Sequence, residues 1–192
     1  MTTGIKAPTS TTGSLQINGV DAVTFDSTGI LTGVNKAAVS QMPTLGTAQN
    51  TTSGTSIDFT GIPSWVKRIM VMLNGVSTNG TSNEILQIGS TSVQVSGYLG
   101  SAATNTTYGA FTTGFGLGAT ITSASILHGV ATLVSLGSNV WAFSFNGTYS
   151  NAPATAQASG SVTLSGALDR IRLTTVNGTD TFDAGSINIF YE

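Results

Sequence analysis

The chain has 192 residues, of which only 7% are charged, and its formal net charge is −2. Six basic residues cannot neutralise the row of phosphates that a nucleic acid presents, and the absence of cysteine excludes disulfides and thiolate metal sites. From Ile85 to Leu168 the chain has no Asp, Glu, Lys or Arg, so this long stretch lacks the usual side chains of acid-base catalysis. We therefore expect no enzyme, no catalytic residue, no cofactor, no bound metal and no nucleic-acid partner.

The abundance of Thr, Ser and Gly favours strands and turns over helices. Thr is β-branched and packs well on a pleated sheet, while Gly, present 24 times, supplies the dihedral angles of tight turns. No apolar run approaches the roughly 20 residues of a membrane-spanning helix. Residues 1–10 also lack the basic start and the apolar run of a secretory signal. We therefore expect an all-β protein that is made in the cytoplasm and is not inserted into a membrane.

Residues 1–50 have the pattern of an attachment segment rather than of a domain. Two short apolar-polar alternations, SLQIN from Ser14 and AVTF from Ala22, are joined through Asn18-Gly19, which is a hairpin turn signal. Residues 26–50 contain turn-forming dipeptides but no sustained alternation of apolar and polar residues. We predict an extended N-terminal arm with a short β-hairpin over residues 1–50 and a β-domain over residues 51–192.

From Thr55 onward, strand patterns recur at roughly 10 to 15 residues, a spacing typical of a β-sandwich or barrel. The predicted strands cover residues 56–60, 65–73, 84–88, 92–95, 125–136, 140–145, 161–164, 169–175 and 185–191. Residues 98–118 lack alternation and are predicted to form a long loop with room for an edge strand. The last strand should pair inside the sheet, because a free terminal edge invites aggregation. The pattern predicts an antiparallel, jelly-roll-like β-sandwich.

The few ionisable side chains favour structural roles over a functional site. Basic residues of the predicted strands are expected to form cross-strand ion pairs rather than an anion pocket: Lys67, Arg68, Arg170 and Arg172, near Asp58 and Asp169. His128 is the only histidine and has no partner for a triad or a metal site, so we expect it to be structural. Asp180 and Asp183 flank Phe182 in a turn and are expected to bond to the backbone rather than to calcium.

The aromatic residues divide into two groups. Trp65 and Trp141 lie on alternating strands and are expected to be core or subunit-interface residues. Tyr98, Tyr108 and Tyr149 lie in stretches predicted to be polar loops, where the face of a ring can stack on a sugar. These three tyrosines are the candidate glycan contacts.

Three stretches of the sequence resemble a module of structural proteins from tailed bacteriophages. They are TSIDFTGIPSWVKRI from Thr55, LNGVSTNGTSN from Leu73 and LDRIRLTTVNGTDTFDAGSINI from Leu168, so the resemblance covers about residues 52–192. The segment GSLQINGVD from Gly13 is similar to the short attachment segments of the same class. The resemblance implies a β-rich homotrimer at the end of a tail fibre or elsewhere on the virion surface.

The function implied by this resemblance is that of a non-enzymatic structural component of the virion, made in the host cytoplasm and exposed on the tail or the head. As a fibre or fibre-tip module, it would attach to other virion proteins through residues 1–50 and contact bacterial surface polysaccharide. The alternative is a capsid decoration protein that stabilises the head shell. A third hypothesis, a glycan-degrading enzyme, needs paired carboxylates about 5 to 10 Å apart and is disfavoured by the scarcity of acidic residues.

Overall fold

The computed structural model of the chain describes residues 42–192, apart from positions 124 and 152, and four strands of the preceding region. The chain divides into two compact units, Met1–Met42 and Pro43–Glu192. Every helix or strand assigned to the described residues is a β-strand, and their pairing is antiparallel. The prediction of an all-β protein with antiparallel sheets is confirmed for this part of the chain.

The first unit contains a four-stranded antiparallel sheet whose strands neighbour one another in chain order. They are β1 (Ile5–Lys6), β2 (Thr12–Ile17), β3 (Val20–Asp26) and β4 (Leu31–Val34). The pairing of β2 with β3 forms the predicted hairpin, whose turn residues Asn18 and Gly19 lie outside the described residues. Strand β4 falls in the stretch predicted to be extended, so the N-terminal region differs from a simple arm by having a small sheet.

The second unit consists of two sheets. Its strands are β5 (Thr44–Leu45), β6 (Gln49–Asn50), β7 (Ser56–Thr60), β8 (Arg68–Thr78), β9 (Glu84–Ser90), β10 (Ser92–Val93), β11 (Leu99–Thr104), β12 (Thr107–Phe111), β13 (Phe115–Gly116), β14 (Leu127–Gly137), β15 (Val140–Tyr149), β16 (Ala154–Thr163), β17 (Arg170–Thr175) and β18 (Phe182–Tyr191). The nine-stranded sheet has the order β12-β11-β16-β15-β14-β8-β18-β5, and β6 also pairs with β18. The five-stranded sheet has the order β10-β9-β17-β7, and β13 also pairs with β9.

The boundary between the two units lies eight residues before the predicted one, at Pro43 rather than at Thr51. Strands β5 and β6 hydrogen-bond to the last strand, β18, and therefore belong to the second unit. Each is only two residues long, which is too short to show a hydrophobic period in the sequence. Strand β18 is thereby paired on both sides, by β8 and by these two short strands, as predicted for the end of the chain.

The two sheets of the second unit share one hydrophobic core. The nine-stranded sheet contributes Ile69 and Leu73 to this core, because side chains alternate between the two faces of β8. The five-stranded sheet contributes Ile171 of β17. The rings of Phe115, on β13, and Phe143, on β15, stack across the core with their centroids 4.4 Å apart. Removal of such apolar surface from water is the main stabilising term of this unit.

The prediction of a long loop over residues 98–118 is wrong, although the edge strand for which it left room is present as β12. Strands β11 and β12 form a hairpin there, with Ala103 opposite Tyr108, and β11 also pairs with β16. The residues of this hairpin are mostly Gly, Ala, Ser and Thr. Such residues show no apolar-polar alternation in the sequence even when their strands are hydrogen-bonded in a sheet. This hairpin forms one edge of the nine-stranded sheet, next to a groove on the outward face of that sheet.

Candidate functional site

A groove lies on the outward face of the nine-stranded sheet, where β12, β11, β16 and β15 run side by side. The strand register places four side chains in one row across this face: Tyr108, Ala103, Gln157 and Asn146. The adjacent row consists of Ala110, Ser101, Ser159 and Ser144. Because Ala103, Ser101 and Ser159 are small, they leave a depression of about 450 Å³ between the larger side chains.

The groove is polar but uncharged. Its outward lining consists of Ser101, Ala103, Tyr108, Asn146, Gln157 and Ser159, and it is completed by Ala102, Phe145 and Ala158 of the inward-facing positions. The lining has no titratable group except the Tyr108 phenol, so it has no pair of groups for acid-base chemistry. Hydroxyls, amides and one aromatic ring are instead the groups that bind neutral, hydroxyl-rich ligands.

Tyr108 is the most exposed of the three candidate glycan contacts. Its side chain is 77% exposed at the edge strand β12, and it forms one wall of the groove. The opposite wall is formed by the amides of Gln157 and Asn146. An aromatic ring and two amides therefore flank a floor of small side chains.

The prediction that Tyr98 contacts glycan is wrong, because its side chain is only 1% exposed. Its hydroxyl accepts a hydrogen bond from the Ile88 amide at 2.8 Å and donates to the carbonyl of Gln94, 3.0 Å away. Its ring meets Phe115 edge-on at 4.8 Å. Burial raises the pKa of Tyr98 to about 12. This tyrosine therefore fastens the segment after β10 to the core.

The same prediction for Tyr149 is also wrong, since this side chain is 2% exposed and belongs to the core. It ends β15 on the face that also buries Trp141, Phe143 and Phe145. The alternation of these four residues along one strand is a signal in the sequence that would have placed Tyr149 inside. Its predicted position in a loop came from ending the strand four residues too early.

The remaining sequence predictions concern structural roles. His128 accepts a hydrogen bond from the Gly75 amide through Nδ1 at 3.2 Å, and its Nε2 lies 3.1 Å from the Ser150 hydroxyl. Asp180 accepts a hydrogen bond from the backbone amide of Ser82 at 2.9 Å, as expected for a turn aspartate. His128 is thus hydrogen-bonded within the unit, and the backbone bond predicted for Asp180 is confirmed. Asp183 differs from the prediction, because it accepts a hydrogen bond from the Ser77 hydroxyl at 2.6 Å.

The ion pairs follow the strand pairing only in part. Arg172 on β17 faces Asp58 on β7 and makes a two-pronged pair with both contacts at 2.7 Å, as the cross-strand prediction requires. Arg170 instead pairs with its chain neighbour Asp169 at 2.7 Å. Arg68 pairs with Glu192. All three pairs are partly exposed, so solvent screening weakens each of them.

Sequence reasoning missed one unusual group, the carboxyl of Glu84. Its side chain is fully buried, and neither carboxylate oxygen has a hydrogen-bond partner in another residue. Burial raises the pKa of Glu84 to about 7, and the nearby charge of Asp180 also acts to raise it. Glu84 opens β9, where apolar residues occupy both strand faces, so the sequence pattern does not show that it points inward.

Comparison of the chain with protein-family models, with curated proteins and with solved structures found no match. Function is therefore inferred from the chain's composition, from the resemblance of its motifs and from the groove. No helix in the described part of the chain is long and apolar enough to span a membrane.

Proposed function

We propose that the chain is a non-enzymatic structural component of a tailed-bacteriophage virion, a surface-exposed fibre or fibre-tip module that binds host-surface glycan. The observation that carries this proposal is the uncharged groove with the exposed ring of Tyr108 on one wall. The motif resemblance in residues 52–192 supports the virion assignment. The low charge of the whole chain also suits a surface module, because contacts without charges change little with ionic strength.

Glycan binding follows from the chemistry of the groove walls. The apolar face of a pyranose packs on an aromatic ring, and Tyr108 presents such a ring at the edge of the sheet. The amides of Gln157 and Asn146 each supply a donor and an acceptor, which match the two roles of a sugar hydroxyl. The small floor residues let a flat ligand lie along the strands. The preferred ligand is therefore a neutral stretch of polysaccharide.

The sheet arrangement supports the finer part of the fold prediction. Two antiparallel sheets contribute to one core, as expected of a β-sandwich. The β7-β17 and β9-β17 pairings bring together strands that are far apart in the chain, which is a feature of jelly-roll connections. We propose a jelly-roll-like β-sandwich on this basis.

A homotrimer is the proposed assembly, and an apolar area of the nine-stranded sheet supports it. We call this area the outer patch; the register places its residues side by side on β14, β8, β18 and β5: Val130, Met72, Met70, Phe190 and Leu45. Leu45 is 64% exposed and Val130 is 40% exposed. Contiguous apolar surface of this kind marks interaction sites, and packing against identical copies would cover it. The first unit is the proposed attachment to other virion proteins.

Replacing Tyr108 with alanine is expected to weaken glycan binding at least tenfold, because the ring provides the apolar contact with the sugar. The measurement is binding of the purified chain to polysaccharide extracted from host cells. Leu99→Ala is the matched control, since Leu99 is also exposed on neighbouring β11 but does not line the groove. Equal binding by both variants, or no binding by the unaltered chain, would contradict the proposal.

Val130→Asp is expected to convert the trimer into monomers, because it places a charge within the outer patch, at its β14 edge. The measurement is sedimentation equilibrium of the purified chain. Val95→Asp is the control, because Val95 is exposed outside the outer patch. A monomeric unaltered chain would refute the proposed assembly and leave the glycan groove to be judged by the Tyr108 variant.

The position on the particle separates the fibre from the capsid decoration alternative. Electron microscopy of virions labelled with an antibody against the chain should show label on the tail or on fibres. Label distributed over the head shell would refute the fibre assignment and identify a decoration protein.

A further inference from the structure

The buried polar atoms that lack a hydrogen-bond partner are gathered in one place. In the part of the chain that the structure describes, they are all side-chain oxygens of four residues: Thr78, Asn83, Glu84 and Tyr149. We call these residues the Glu84 cluster. Folded proteins rarely leave such atoms unpaired, since each costs about 1 to 3 kcal/mol, and a bound ion or water is the usual explanation.

The strand register brings the Glu84 cluster to one end of the second unit's core. Leu127 on β14 pairs with Tyr149 on one side and with Val76 on the other, so the ends of β15 and β8 flank the same residue of β14. Thr78 is two residues beyond Val76 and therefore faces the same way. Glu84 begins the next strand, β9, on the face that also buries Leu86 and Ile88. The cluster thus lies between the sheets rather than on the surface.

Contacts with the segment that follows β13 tie the cluster together. The Asn83 side-chain amide donates to the Ala119 carbonyl, 3.4 Å away, which leaves its oxygen without a partner. The Ala119 amide donates to the Thr104 hydroxyl at 3.0 Å. A side chain at Gly118 would collide with the Tyr149 hydroxyl and approach that of Thr104. Glycine at this position therefore keeps space open around the Tyr149 hydroxyl.

The charges of the second unit are divided between its two ends. Glu84, Asp180 and Asp183 lie at the end that holds the cluster, where β8 ends and β9 and β18 begin. The basic residues described in this unit lie elsewhere, towards the opposite end or on the outer face of β17: Lys67, Arg68, Arg170 and Arg172. The three arginines are already paired with Glu192, Asp169 and Asp58. The end with the cluster therefore has negative charge that no described side chain balances.

We propose that the Glu84 cluster is a binding site for a hard divalent cation, Ca²⁺ in the first place. Ca²⁺ takes carboxylate, amide and hydroxyl oxygens, and the cluster offers only oxygens. Glu84 supplies the charged ligand, Asn83 supplies an amide oxygen, and the hydroxyls of Thr78 and Tyr149 complete the protein's share. A cation also balances the uncompensated charge of this end, which a bound water would not do. This site is independent of the proposed glycan groove.

The site is expected to be weak. No three or more His, Cys, Asp or Glu side chains of the described residues come close enough together to hold a metal ion. The cation is therefore held mainly by neutral oxygens, and sites with few carboxylates bind Ca²⁺ with Kd of about 10⁻⁴ to 10⁻³ M.

The test is the thermal unfolding of the full chain, first freed of metal with a chelator and then titrated separately with Ca²⁺, Mg²⁺, Na⁺ and K⁺. We expect Ca²⁺ to raise the Tm by roughly 5 °C at saturation and the other cations to have less effect. Glu84→Gln should abolish this shift. Glu192→Gln should retain it, because Glu192 is a carboxylate at the opposite end of the same unit.

A second measurement does not depend on the folding of any variant. Equilibrium dialysis of the unaltered chain against Ca²⁺, followed by elemental analysis, should find one bound ion per chain. No bound Ca²⁺ together with an unchanged Tm in every cation would overturn the proposal and identify Glu84 as a buried neutral acid. A Ca²⁺ shift that persists in Glu84→Gln would also overturn it, by placing the ion elsewhere. Neither result bears on glycan binding.

Discussion

Removal of residues 187–192 is expected to unfold the second unit completely. Strand β18 is paired with β8 on one side and with β5 and β6 on the other, so its loss leaves β5 and β6 without a partner and exposes one edge of β8. Ile187 and Ile189 are almost fully buried, and deletion of each large apolar side chain costs about 2 to 5 kcal/mol. The sum is comparable to the whole stability of a typical domain, about 5 to 15 kcal/mol.

The measurement is far-ultraviolet circular dichroism together with calorimetry of the truncated chain. Glu192→Ala is the control, because it removes only the partly exposed pair with Arg68 and should change the free energy of unfolding by at most about 1 kcal/mol. A truncated chain that stays soluble and unfolds cooperatively would show that β18 is dispensable.

The cation-free chain is expected to lose stability as the pH rises from 4.5 to about 7, because Glu84 is a buried acid. Its folded-state pKa lies above its ordinary value, so the folded chain holds the proton more tightly than the unfolded chain does. The stabilisation is fully present below pH 4.5 and is lost as the pH passes about 7. The pKa difference corresponds to about 3 kcal/mol. The titratable groups that act on Glu84 are Asp180 and Tyr149.

Urea unfolding at a series of pH values, in the presence of a chelator, measures this loss. Glu84→Gln keeps the shape of the side chain without the charge, so it should flatten the profile and be more stable than the unaltered chain above pH 7. Glu192→Gln is the control and should follow the unaltered profile. A profile that is equally steep in Glu84→Gln would assign the pH dependence to other groups.

Strands with large apolar residues were predictable from the sequence, whereas strands of small residues were not. The alternation around Ile69 and Leu73 predicted the position of β8, because burial on one face imposes a period of two. Strands β11 and β16 are built mainly from Ala, Gly, Ser and Thr, and the backbone ladder rather than side-chain burial defines them. The groove lies across these strands, so the sequence pattern could not predict which residues form its floor.

The single residues of the candidate site also divide into those that the sequence predicted and those that it did not. Tyr108 was identified because an aromatic ring in a polar stretch has few reasons to be buried, and it is exposed. Tyr98 has the same kind of surroundings in the sequence, but a turn in the backbone carries it inward to the amide of Ile88. Glu84 was missed because its buried position depends on partners that lie far away in the chain, such as Tyr149.

The carboxylates of the second unit that have no basic partner lie at one end of it and give it an electric dipole roughly parallel to its strands. The negative pole holds Glu84, Asp180 and Asp183, while Lys67 lies towards the other pole among arginines that are already neutralised. An anionic surface would rotate this dipole so that the Lys67 pole approaches first. A divalent ion at the proposed Glu84 site would shrink the dipole, so calcium would change how the unit aligns with such a surface.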